Sequence, residues 1–210
     1  MKRFIILSVF VMIVAFYGCE GSEGESSDAG ITTESTEKYF GFSDKKTVTY
    51  EGSQTVNNST APIAFELTMD IDDQTFSRKT FKVTWKSSIG IPFEEWFEIK
   101  NDSVYKVAQR YVENNVEKNI TFSTPILFGK NPLKDGDNLK TETNGAVYNY
   151  IISSYTYKTY KNDFGEVKRI IASEGNASNE YYLKENEGFV GFKFNNHPAL
   201  YTLEIEKKSN

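Results

Sequence analysis

The chain has 210 residues, a formal net charge of −5, one Cys and one His. That length suits one domain or two small ones. A single Cys excludes an internal disulfide framework, and a single His excludes a site built from two imidazoles. The acidic balance argues against sequence-independent nucleic-acid binding, which needs Lys and Arg to displace counterions from phosphates.

Met1-Lys2-Arg3 is a short basic start, and residues 4–17 form an apolar or weakly polar run. At about 1.5 Å per residue that run makes about 21 Å of helix, short of the roughly 30 Å hydrocarbon core of a bilayer. Residues 1–18 therefore read as a cleaved signal peptide rather than a membrane span. Gly18 is small, as a signal-peptidase subsite needs, and Cys19, the lone thiol, follows it. This segment resembles a bacterial lipoprotein signal, in which the Cys is diacylated on sulfur and becomes the mature N-terminus. The usual pattern has an aliphatic residue three before the Cys and a small one two before, where this chain has Phe16 and Tyr17. The resemblance covers residues 1–19. It implies lipidation of Cys19, a membrane partner reached through acyl chains, and a place in the cell envelope at the outer membrane, periplasmic or surface-exposed. Two acyl chains give stable anchoring where one gives only marginal binding. An acylated Cys19 would serve neither as nucleophile nor as metal ligand.

Residues 20–37 read EGSEGESSDAGITTESTE, with six acids and no Lys or Arg. Such a segment cannot bury enough apolar surface to offset its ordering entropy, so 19–37 is expected to be a lipidated Cys followed by a disordered acidic tether. Its root-mean-square span is about 5–6 Å × √18, roughly 23 Å. The stretch is also similar to signals that send some bacterial lipoproteins to the cell surface; a plain solvated spacer is the other reading. Residues 38–210 carry 22 basic and 23 acidic side chains, so the acidity belongs to the tether. No charge-selected partner follows for the domain.

From Lys38 onward Phe, Tyr, Val, Ile and Thr dominate and turn signals recur, which is β composition. Strands are expected over 47–50, 63–71, 80–85 and 96–99. Residues 104–112 are ambiguous. Val104, Val107, Ala108, Tyr111 and Val112 follow helical spacing, but the segment lies between turn signals among strands, and a strand is favoured with a helix as alternative. A strand near 119–122 leads into an extended loop at 125–133, where two prolines oppose a central strand, and a turn at Asp135-Gly136-Asp137-Asn138. Residues 146–161 are long for one strand. Tyr148, Tyr150 and Ile152 share one parity and Tyr155 and Tyr157 the other, so a β-bulge is expected at Ser153-Ser154. Strands at 167–172, 180–184, 189–194 and 200–206 complete the chain. No βα alternation appears. The expected fold is all-β: roughly ten strands over 38–210 in an antiparallel meander, curled into an open barrel or a two-layer sandwich.

Tyr181-Tyr182-Leu183-Lys184 with Gly188-Phe189-Val190-Gly191-Phe192 resembles a strand pair that ends a β-rich domain in uncharacterised bacterial envelope proteins. Pro132-Leu133 to Leu139 resembles a loop upstream in the same proteins, with Leu139 where Trp is common. This looser resemblance implies a β-rich lipoprotein and carries no catalytic residues.

Candidate chemistry is sparse. His197, in Asn195-Asn196-His197-Pro198, is the only base with a pKa near 7, but no Gly-x-Ser-x-Gly elbow accompanies it. Asp70, Asp72 and Asp73, and separately Asp135, Asp137 and Asn138, have oxygen-ligand character; neither set continues into a calcium-loop pattern, and both read as turns. Glu94 or Glu95 could join a carboxylate pair of the kind that hydrolyses glycosides. The tyrosines at 148, 150, 155, 157 and 160 could stack on sugars, anchor a protein or pack in the core. The expectation is therefore no cofactor, no metal and no catalytic set. The domain is expected to be non-catalytic and to bind a protein, glycan or lipid partner. The rivals are a half-barrel with an apolar cavity for hydrophobic ligands, and a glycan-acting hydrolase.

Overall fold

A computed structural model describes residues 38–88, 92–101, 103–113, 116–130, 132–174, 177–196 and 201–208. The expected signal peptide, Cys19, the tether and His197 lie outside the described residues. Twelve strands run in chain order: β1 Lys46–Val56, β2 Ser59–Asp72, β3 Thr80–Ser87, β4 Pro92–Lys100, β5 Ser103–Glu113, β6 Val116–Lys130, β7 Asn138–Thr143, β8 Ala146–Lys158, β9 Asp163–Glu174, β10 Ala177–Lys184, β11 Gly188–Asn196 and β12 Tyr201–Lys207. They form one antiparallel sheet in the order β6-β5-β4-β3-β2-β1-β12-β11-β10-β9-β8-β7. Because β1 pairs with β12, the meander curls into a nearly closed barrel whose one break lies between β6 and β7.

Alternation builds the wall. In β3, Phe81, Val83 and Trp85 are buried on the inner face while Lys82 and Thr84 between them are more exposed. A twelve-stranded ring is too wide for side chains to fill if it stays round, and this one is flattened. Rings from opposite walls meet across the middle: Trp85 of β3 with Phe192 of β11 at 5.4 Å, and Phe128 of β6 with Tyr181 of β10 at 5.0 Å. The interior is thus a packed aromatic core.

Residues 38–42 close one end. Phe42 stacks on Phe81 at 5.3 Å and on Phe97 at 5.2 Å, and Phe40 leans on Phe128. The Lys38 carbonyl accepts the Asn186 N–H, and the Lys38 ammonium pairs with Glu185. The backbones of Gly41 and Gly188 pass so closely that a Cβ on Gly41 would stand 3.0 Å from the Gly188 Cα. Both glycines also have positive φ, 59° and 82°, which L side chains rarely adopt. The chain enters at this end, and Lys208 follows β12 there; the Asn57–Asn58 and Asn144–Gly145 turns mark the far end.

Three local expectations are corrected. Residues 125–130 are strand, not loop: β6 runs to Lys130, and Pro125 falls in a stretch where the register with β5 jumps from Ala108↔Thr121 to Lys106↔Ile126. An edge strand at a bulge tolerates the missing N–H. The bulge expected at Ser153-Ser154 is absent. The β8–β9 register is unbroken from Tyr148↔Glu174 to Tyr157↔Gly165, and Tyr157 is apolar cover for the outer face. The strand count is twelve, because the polar β7 carries only Leu139 as a large apolar residue. Residues 104–112 are strand, as favoured. Their helix-like spacing comes from a bulge at Val107, which places Val107 and Ala108 together on the outer face with Trp96.

Candidate functional site

Glu94 and Glu95 are neighbours on β4 and so point to opposite faces. Glu94 lies on the outer face, 2.8 Å from Lys82 and paired with Arg110, and both cations also sit over the Trp96 ring. Glu95 lies in the core, 1% exposed. Its carboxylate takes hydrogen bonds from Trp85 Nε1 at 3.3 Å, the Tyr181 hydroxyl at 3.2 Å and Lys106 Nζ at 3.5 Å. Lys106 is 0% exposed, donates to Gln109 Oε1 at 3.2 Å, and lies between the rings of Phe122 and Tyr150. The two glutamates do not face each other, and each is already neutralised by a cation. The interior cluster ties β3, β4, β5 and β10 together inside the core. Lys106 turns inward by plain alternation from Val104, and the bulge at Val107 then brings Gln109 to the same face; in one dimension nothing marks Lys106 as the partner of Glu95.

The acidic turns act as turns. Asp72 accepts from the Thr75 hydroxyl and amide, the Gln74 amide and Trp96 Nε1. Burial pushes its carboxyl up, but these donors outweigh burial and hold it at about 2. Asp135 receives Lys168 at 2.7 Å and the Ser154 hydroxyl at 3.0 Å, which hold it below the usual carboxylate range. Among the described residues no three His, Cys, Asp or Glu side chains gather as a metal site would need.

The tyrosines divide among three places. Tyr148 and Tyr150 are core residues. Tyr157 stacks on Tyr182 at 4.1 Å and on Phe164 at 5.3 Å on the outer face, and the Arg169 guanidinium covers Tyr155 at 4.8 Å. Tyr160 is fully exposed at the tip of the β8–β9 turn. That turn is pinned to the barrel wall: the Thr159 hydroxyl donates to Glu206 and Lys161 pairs with Glu51 at 2.9 Å.

Beside the pinned turn the outer wall of β1 and β2 is hollow. Two adjoining depressions of about 410 and 350 Å³ share Glu51 and Ala64. One continues past Glu66 to Lys86, Ser88 and Lys208; the other passes Gly52 and Pro62 to Lys161. Small residues form the floor because the outward positions of β2 here carry Ala64 and Pro62. Ser87 borders the first depression with a buried hydroxyl that no group among the described residues engages. Compared with protein-family models, curated proteins and solved structures, the chain matches none of them.

Proposed function

We propose that the chain is a lipid-anchored envelope lipoprotein whose non-catalytic β-barrel binds a partner or ligand on its outer surface. The carrying observation is the lone Cys19, placed directly after a basic start, an apolar run and a small residue. Acyl chains on that sulfur would hold the protein at a membrane. The tether of 20–37 would join the domain at Lys38, beside the end closed by Phe40 and Phe42. Burial of Phe42, Phe97, Phe128 and Tyr181 in the interior favours binding on the outside of the wall over binding in a lumen. The pairing of Glu94 and Glu95 with separate cations favours a binding role over glycoside hydrolysis, whose acids face each other across a cleft.

The test is a Cys19→Ala variant followed by metabolic labelling with a clickable fatty acid and by membrane fractionation. Loss of label together with release from membranes is the expected result. Full membrane retention by the unlabelled variant would sink the reading.

A further inference from the structure

We propose, beyond the binding role and independently of it, that Asn144 is a deamidation site held in check by the β6–β7 seam, and that its conversion unlatches the seam irreversibly. Asn144-Gly145 is the one Asn-Gly pair in the chain. Asparagine before glycine is the pair most open to this chemistry, because no side chain screens the following backbone nitrogen. The two residues form the turn between β7 and β8, with φ of 52° and 75°, both positive as a type I′ turn requires. The turn is exposed, and nothing lies within 4 Å of where a Cβ on Gly145 would stand. Sequence and access to water are thus both in place. What opposes the reaction is a clasp across the seam. Asn144 Oδ1 accepts the Ser123 N–H at 3.0 Å, and Nδ2 donates to the Thr121 carbonyl at 2.9 Å. One partner only donates and the other only accepts, so the carboxamide has one orientation. It reaches over to β6 at the junction that lacks a backbone ladder. For deamidation the Gly145 nitrogen must attack Cγ, so the carboxamide must first leave β6 and turn to its own backbone. The N–Cγ bond then forms, the proton of the Gly145 nitrogen leaves with the side-chain amine as ammonia, and a succinimide ring remains. Water adds at one of its two carbonyls and opens it to aspartate or isoaspartate, with no change of oxidation state. Neither product rebuilds the clasp. An oxygen replaces Nδ2 opposite the Thr121 carbonyl, so two acceptors meet with no proton between them. Isoaspartate also lengthens the backbone of a two-residue turn that fixes the β7–β8 register.

The full chain, solubilised in detergent, is incubated in mildly alkaline buffer, both native and unfolded in guanidinium chloride, and conversion at Asn144 is followed by peptide mass mapping. Two hydrogen bonds of ordinary strength predict conversion about thirtyfold slower in the native chain. Thr143→Val removes the hydroxyl that accepts the Thr124 N–H and leaves the Asn-Gly pair intact. It should speed native conversion about fivefold and leave the unfolded rate unchanged. Protection of the β10 ladder amides shows that the variant is folded; Thr141→Val, which removes the acceptor of the Leu127 N–H, takes its place should that protection be lost. Asn144→Asp copies one product and should speed hydrogen exchange at Ser123, Thr124 and Leu127 while β10 keeps its protection. Native conversion as fast as unfolded conversion, or a folded Thr143→Val or Thr141→Val chain converting at the parental rate, would overturn the clasp. Parental protection across the seam in Asn144→Asp would overturn the unlatching.

Discussion

Lys106 and Glu95 place two full charges where water cannot reach, 0% and 1% exposed. A buried pair contributes little net stability, because desolvation offsets the Coulombic gain, but removing one partner strands the other. Lys106→Met should therefore cost about 3–5 kcal/mol in urea unfolding, and adding Glu95→Gln should recover most of the loss. A double variant no better than the single one would mean that the cluster works through hydrogen bonds and packing rather than charge. Asp72 makes the opposite case, a carboxylate near the surface held ionised by donors. Its folded pKa of about 2 lies below the unfolded value of roughly 3.9, so its contribution is present above pH 4 and is lost as the pH falls through 2. Asp72→Asn should lower the melting temperature at pH 6, and the gap to the parent should close by pH 2. A gap independent of pH would assign the effect to turn geometry instead.

The β6–β7 junction is where the wall lacks a backbone ladder. Side chains bridge it: Thr143 Oγ1 accepts the Thr124 N–H at 3.0 Å and Thr141 Oγ1 accepts that of Leu127 at 3.2 Å. The Asn144 carboxamide imitates a peptide group, accepting from the Ser123 N–H and donating to the Thr121 carbonyl. Each such bond contributes about 1 kcal/mol net, so this seam should open before any laddered junction. In native-state hydrogen exchange the amides of Ser123, Thr124 and Leu127 should exchange faster than ladder amides of β10, and Asn144→Ala should accelerate Ser123 further. Equal protection would show that the core, not the seam, sets the opening. The seam also marks the limit of sequence reading. Strands such as β3 and β12 alternate apolar and polar residues and are legible. β7 is an edge whose pairing groups are Thr and Asn side chains, so it offers no apolar period. In β5 and β8 the apolar period is disturbed for two different reasons, a true bulge at Val107 and an outer face covered by Tyr182 and Phe164. Both leave the same trace in one dimension.

At the scale of the molecule, residues far apart in the chain make both the outer depressions and the plug, which is why neither is legible in the sequence. Glu51, Ala64, Lys86, Lys161 and Lys208 meet only because β1 pairs with both β2 and β12 and the β8–β9 turn folds onto the wall. Gly52 is the pivot of that closure. A Cβ there would lie 1.9 Å from the Glu204 carbonyl oxygen, a backbone atom that cannot swing aside. At Gly191 the Cβ would meet the Tyr157 side chain instead, at 2.6 Å. Gly52→Ala should therefore separate β1 from β12 and cost more than the usual overpacking penalty of about 1–3 kcal/mol, with Gly191→Ala nearer its lower end. The plug depends on the same closure, since Phe40 and Phe42 need walls on every side. Phe42→Ala should cost about 3–5 kcal/mol, whereas deleting residues 1–37 should leave the unfolding midpoint unchanged and deleting 1–43 should lower it at least as far as Phe42→Ala. A chain lacking 1–43 that unfolds at the parental midpoint would show that the barrel holds its shape without the plug.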